Sequence, residues 1–287
     1  MLCFCFLPKG MISLNDMDSI INQRAELKVY FIQHKIDLEQ KVDQIVAWGN
    51  CFTICNIERR VEDEQIDLHK LTSFFNDIRP AFVGPAYCLN NYIDAYIEDV
   101  FWDDVKYDID PDQWTSSSLR AIKITVEMQN CLLAIKSGLD RLVRLFAIYD
   151  RGISSTSTFG RIKENGRGKG FMSQVISAKD SNPLYSFIYD EYHQWIKDCV
   201  RPRDAIVHYS DFATNYGFDS NTLTLQPVGI NEREAGLSVG FSSLVQYVNR
   251  YYNFYDKVTS MIAKQERPIC GETDHCQRCW IDSAFNL

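Results

Sequence analysis

The sequence predicts a mainly α protein: a helical bundle with a small β-hairpin inserted late in the chain. Three observations predict it. Residues 114–150 place Leu119, Ile122, Val126, Leu133, Leu139, Leu142, Leu145 and Phe146 near helical spacing, giving one core-facing stripe. Phe241 to Lys264 repeats the pattern with Leu244, Val245, Val248, Tyr252, Tyr255, Val258 and Ile262. Thr222-Leu223-Thr224-Leu225 instead alternates at period two, and Leu237-Ser238-Val239-Gly240 offers it a partner strand.

The remaining elements follow from local chemistry. Residues 1–12 read as a tail. Asn15 or Asp16 caps a helix reaching about Trp48, with Leu27, Tyr30, Phe31, Leu38, Val42, Ile45 and Val46 as its apolar positions and Gly49-Asn50 as its stop. A second helix spans about Cys55 to Phe75. Pro80, Gly84 and Pro85 read as a turn before a third helix, Tyr87 to Phe101. Asp103, Asp104, Asp108, Asp110 and Asp112 make an acidic linker. It opens like an EF-hand but has Gln113 and Leu119 where that loop needs glycine and glutamate, so it reads as solvated chain. Residues 151–170, with five glycines and a Ser/Thr run, read as loop. Asn182-Pro183 then starts a helix to Cys199 by cap and first-turn chemistry, with Leu184, Ile188, Trp195, Ile196 and Cys199 inward. His193 on this helix reads as structural. The expected organisation is an N-terminal helical region, 1–112, packed on a bundle, 113–265, followed by a cysteine-containing tail, 266–287.

Composition narrows the function. The chain has 287 residues, 46% of them hydrophobic, enough for a substantial core. Its net charge of −8 argues against a protein that coats duplex DNA with its whole surface; nucleic-acid contact requires a local basic patch. Ten cysteines in so long a chain do not make a stapled scaffold. The apolar start, Met1 to Pro8, lacks a basic leader and a cleavage site, and no apolar run is long enough to span a bilayer. A reducing cytoplasm is the expected setting.

The chemistry-bearing stretch is Arg201-Pro202-Arg203-Asp204-Ala205-Ile206-Val207-His208. Pro202 suits a first helical turn. Asp204 and His208, four apart, share a helix face, so the carboxylate can fix the imidazole tautomer and favour its charged form. Arg203 lies roughly 140° around the helix from His208. It reaches the imidazole by swinging, or more easily from a second copy across a two-fold axis. A guanidinium that grips phosphate beside a proton-moving imidazole suffices for phosphodiester cleavage without metal. Read alone, the same residues also serve as a helix start with a solubilising arginine and a capped histidine.

Arg203-Asp204-x-x-x-His208, between a Trp-bearing helix and a closing helix, resembles the Arg-x(4–6)-His signature of HEPN domains. The resemblance covers residues 114 to 264. It implies a HEPN-like bundle, a homodimer with its active site at the interface, and metal-independent endoribonuclease action in a toxin–antitoxin or antiviral-defence setting, with an antitoxin or defence-system partner. Arg203 would bind the scissile phosphate, His208 would act as general base or acid, and Asp204 would orient it. No cofactor is required. Other HEPN members are non-catalytic nucleotide- or protein-binding modules, the alternative for this chain. The His-x-Tyr variant of the family is not matched, since Ser210 stands two places after His208 and Tyr209 one.

Two further features bear on partners. Arg151, Arg161, Lys163, Arg167 and Lys169 crowd one loop against a single acid, Glu164. They read as a mobile RNA-binding flap over the His208 site, or as plain surface. Gly166-Arg167-Gly168-Lys169-Gly170 is no P-loop, since Gly170 replaces the hydroxyl residue that holds magnesium. In the tail, Cys276-x-x-Cys279 with Cys270 and His275 offers four ligands for a structural zinc; free thiols are the alternative. There is no Gly-x-Ser-x-Gly elbow, no recognisable cysteine nucleophile and no nucleotidyltransferase loop.

Overall fold

The computed structural model describes residues 25–26, 28–59, 68–101, 112–150, 152–201, 212–217, 222–227 and 238–266. The protein is mainly α, with short antiparallel strands, as the apolar stripes predict. In chain order the elements are α1 (Leu38–Arg59), α2 (Leu68–Phe101), α3 (Asp112–Tyr149), β1 (Arg161–Ile162), β2 (Gly168–Lys169), α4 (Met172–Ala178) and α5 (Pro183–Glu191). A π-helical turn (Tyr192–Ile196) continues α5, and β3 (Phe212–Gly217), β4 (Thr222–Pro227), β5 (Ser238–Gly240) and α6 (Phe241–Glu266) follow. Among the described residues no helix is long and apolar enough to cross a membrane.

The chain divides into two compact units, neither continuous in sequence. The first takes residues 1–36, 86–132 and 201–246. Its core is aromatic. Phe241, at the start of α6, lies 4.7 Å edge-on from Phe31 and 6.2 Å from Tyr92, stacked, and all three are buried. Aromatic pairs at such separations add to the burial energy. The expected single helix from residue 15 to Trp48 is broken here. The helical turn at 28–32 ends before residue 35, and the Asn90 side chain accepts from Ile36 N (2.9 Å) and donates to Ile36 O (2.8 Å). The α3 stripe also needs correction. Ile122 and Val126 are 56% and 42% exposed, while Ile124, Met128, Cys131 and Leu132 are buried. The expected hairpin is present as β4–β5, with Leu223 opposite Val239. β3, which was not anticipated, pairs with the other edge of β4, Thr214 opposite Leu225.

The second unit takes residues 37–85, 133–200 and 247–287. Asp37 caps α1 through Oδ1, accepting from Glu39 N (2.9 Å) and Gln40 N (3.1 Å), which satisfies two of the unpaired donors at the helix start. α1 then runs through Gly49-Asn50, the expected stop, to Arg59. Gly49 is buried, and a Cβ there would lie 3.1 Å from Phe75 Cβ, so this glycine allows close packing and does not end a helix. Likewise Pro80, Gly84 and Pro85 make no turn; both prolines lie inside α2. A proline ring has no N–H for the carbonyl four residues earlier. For Pro85 that carbonyl is Ala81, and the buried Tyr251 hydroxyl donates to it at 3.0 Å. Tyr252 donates to Phe82 O (2.9 Å) and Tyr255 to Gly138 O (2.6 Å). Three phenols of α6 thus supply hydrogen bonds to helix carbonyls. Tyr251→Phe removes the donor and strands the Ala81 carbonyl, so it lowers unfolding free energy by about 1–3 kcal/mol in a urea titration.

A half-buried ionic cluster joins α1 to α6 in this unit. Lys41 donates to Gln44 Oε1 (3.1 Å), and Gln44 Nε2 donates to Asp256 Oδ1 (2.6 Å). The Lys41 amine also sits 4.4 Å over the Tyr252 ring. Burial pushes the Asp256 carboxyl up to about 6, against the pull of Lys41 and Gln44, and pushes Lys41 down. Asp256 therefore holds its proton more tightly folded than unfolded. Between its unfolded value of 3.8 and about 6 the folded chain carries more protons, so this group's contribution to stability falls as pH rises through that window. In melting curves from pH 4 to 6.5, Asp256→Asn removes that decrement; a native and a variant curve of identical slope would contradict it.

Candidate nucleic-acid interface

The site that geometry builds is the segment from Asp150 to Phe171 in the second unit. Asp150 ends α3 and fixes the segment's start, accepting from Gly152 N (2.8 Å) and from the Tyr185 hydroxyl (3.1 Å). Asp140, also contacted by Lys136, accepts from Phe159 N (2.7 Å). Phe159 and Phe171 are fully buried, and Phe171 stacks on Phe146 at 4.6 Å. Between these anchors the chain forms a hairpin, not the expected structureless loop.

The hairpin has a definite register. Arg161 faces Lys169 and Ile162 faces Gly168 across the ladder. Lys163 N donates to Arg167 O (2.9 Å), and Gly166 N donates to Lys163 O (2.9 Å). This is the three-residue hairpin loop that needs a left-handed residue in its last place, and Gly166 has φ +75°. Asn165 Oδ1 accepts from Arg167 N at 3.1 Å and stiffens the tip. At the base Gly160 (φ +80°) passes so close to Lys169 O that a Cβ would lie 1.7 Å from it. The free edge of β1 is closed by Tyr192, whose hydroxyl accepts from Ile162 N at 2.9 Å.

Side chains alternate between the faces of a β-ladder. Ile162 and Gly168 take the inner face, where a Cβ on Gly168 would lie 2.5 Å from Ser173 Cα. Arg161 with Lys169, and Lys163 with Arg167, take the outer face as two successive cross-strand pairs, all four exposed. Among the described residues Lys163, Arg167 and Lys169 have no ion-pair partner. Like charges directly opposite each other destabilise a ladder. Two such rungs in a chain of net charge −8 make a concentrated anion-attracting surface.

Beside this hairpin stands the π-turn. Lys197 N–H reaches Tyr192 O, the five-residue spacing of a π-helix, a feature frequent at functional sites. Its His193 is exposed, 5.5 Å from the Tyr192 ring and 4.7 Å from the Tyr189 ring. Trp195 is buried and donates to Glu191 Oε2 at 2.6 Å.

Of the residues singled out in sequence, Arg161, Lys163, Arg167 and Lys169 come together on this face. Arg151, the Arg203–Asp204–His208 motif, and Cys270, His275, Cys276 and Cys279 lie outside the described residues. Among the described residues no three His, Cys, Asp or Glu side chains converge as a metal site. Burial pushes the Cys88 thiol up to about 11 and raises that of Cys199 as well, so these two are held away from the reactive thiolate form. A groove of about 640 Å³ in the first unit is lined by both signs of charge, with Lys35 paired to Asp94 and Lys123 to Glu98, so it has no net preference for an anion. Comparison with protein-family models, curated proteins and solved structures gave no match.

Proposed function

We propose that this protein binds RNA through the cationic hairpin face and cleaves it as a metal-independent endoribonuclease. The supporting observation is the concentration of four exposed cations on one built face of an acidic chain. The cleaving equipment in this reading is the sequence motif. Arg203 holds a non-bridging oxygen pair of the scissile phosphate and stabilises the charge that builds there. His208 serves as base or acid, and Asp204 sets its tautomer. The RNA 2′-hydroxyl attacks phosphorus, the bond to the 5′ oxygen breaks, and the fragments carry a 2′,3′-cyclic phosphate and a 5′-hydroxyl. Neither a metal nor a protein nucleophile enters these steps. The acidic chain also suits a second reading, a HEPN-like module that binds a nucleotide or protein and leaves RNA intact. The two readings part on incubation of the purified chain with single-stranded RNA in EDTA. Cleavage lost in both Arg203→Ala and His208→Ala supports the enzyme. Full activity retained in both variants, with only the melting temperature changed, makes the motif structural.

A further inference from the structure

We propose that the outer face of the β1–β2 hairpin is a two-rung clamp for two successive phosphates of a single-stranded polynucleotide. The inference deepens the RNA-binding reading, because it specifies which form of nucleic acid the face accepts. The inner rung is Arg161 with Lys169 and the outer rung is Lys163 with Arg167. The strands of a ladder lie about 4.8 Å apart, so the two cations of one rung flank a single anion. Rungs two residues apart are separated by about 6.8 Å, close to the interval between neighbouring phosphates of an extended strand. The clamp is fixed in advance. Gly166 sets its tip, Tyr192 closes the β1 edge, and the Ile162–Gly168 face packs inward on the start of α4. Bound anions relieve the repulsion within each rung, which gives a reason for placing like charges opposite each other.

The neighbourhood favours a single strand over a duplex. Tyr192, which holds β1, is itself buried, but the next residue, His193, is exposed, with its ring against Tyr189 and the Lys179 amine 5.0 Å over that tyrosine ring. An exposed imidazole beside a basic track takes up unstacked bases, which a duplex does not present. Sequence selectivity at this face is low, since phosphates carry no sequence information.

The test is fluorescence anisotropy with a labelled 2′-O-methyl oligouridylate, measured over a salt series with the full chain. This probe has no 2′-hydroxyl to attack, so its binding does not depend on whether Arg203 and His208 cleave RNA. Loss of one rung, in Lys163→Gln/Arg167→Gln or in Arg161→Gln/Lys169→Gln, is expected to reduce the slope of log affinity against log salt by about 0.7, the share of one phosphate on a single strand. The control Lys70→Gln/Lys257→Gln removes the same charge from exposed positions on α2 and α6 and leaves the slope unchanged. The swap Lys163→Arg/Arg167→Lys keeps both charges and binds as the native chain does, which separates the clamp from a folding defect. Rung variants indistinguishable from the control overturn the clamp. A duplex of equal length bound as tightly as the single strand overturns the choice of substrate.

Discussion

Gly138→Ala lowers the unfolding free energy by about 3 kcal/mol, although helix propensity alone predicts a gain of about 0.5–1 kcal/mol from the same change. The reason is one packed contact. A Cβ at position 138 would stand 2.0 Å from the Tyr251 hydroxyl and 2.7 Å from its ring carbon Cζ. Tyr251 cannot move aside. Its ring is buried among Tyr252, Tyr255 and Phe82, and its hydroxyl is committed to the carbonyl that Pro85 leaves unpaired. The next phenol along α6, Tyr255, donates to Gly138 O itself. The loss is measured by urea unfolding of both chains. In a Tyr251→Phe background the worst contact is gone, so the same glycine substitution costs less than in the native background; the difference is the coupling between the two sites. A Gly138→Ala chain as stable as the native one would contradict this packing.

The second large expected effect belongs to the proposed RNA cleavage. His208→Ala reduces the rate of RNA cleavage by about 10²–10⁴-fold, the usual loss when a positioned acid or base is removed. Arg203→Ala reduces it by about 10²–10³-fold, as when a group that stabilises developing charge is lost. Removing a hairpin rung acts differently. It weakens substrate and transition state alike, so it raises KM and leaves kcat near the native value. Kinetics of the three variants on one oligonucleotide separate binding from chemistry. A His208→Ala chain with native kcat removes the imidazole from the mechanism.

The helices were legible where apolar residues recur with helical period. Every inward position assigned to α5 and its continuation, from Leu184 to Cys199, is buried, as are those assigned to α6 from Leu244 to Ile262. Errors arose where a residue type has two physical uses. Glycine stops a helix or admits a neighbour, and Gly49 does the second because Phe75 packs on it. Proline breaks a helix unless the orphaned carbonyl finds another donor. Pro85 is tolerated because a phenol more than 160 residues away supplies one, which no local window contains. The helix start at Asp37 was readable, since Asp37 with Gln40 three residues on is a capping signature. The exposure of Ile122 and Val126 was not, because a stripe can turn around a long helix as its neighbours change.

The candidate site was half legible. Its cations stand out by composition, yet the loop-like reading hid their arrangement. Asn165-Gly166, flanked by Arg161, Lys163, Arg167 and Lys169 at symmetric distances, is a hairpin signal. Tyr192 was not singled out and His193 was read as structural; the π-turn that carries both was not read from the sequence.

The most direct test of RNA cleavage is the chemical nature of the fragment ends. Single-stranded RNA incubated with the native chain in EDTA, then weighed by mass spectrometry, is expected to yield fragments ending in a 2′,3′-cyclic phosphate and beginning with a 5′-hydroxyl. RNA that stays intact, or fragments with 3′-hydroxyl and 5′-phosphate ends that appear only when a divalent metal is restored, would contradict it.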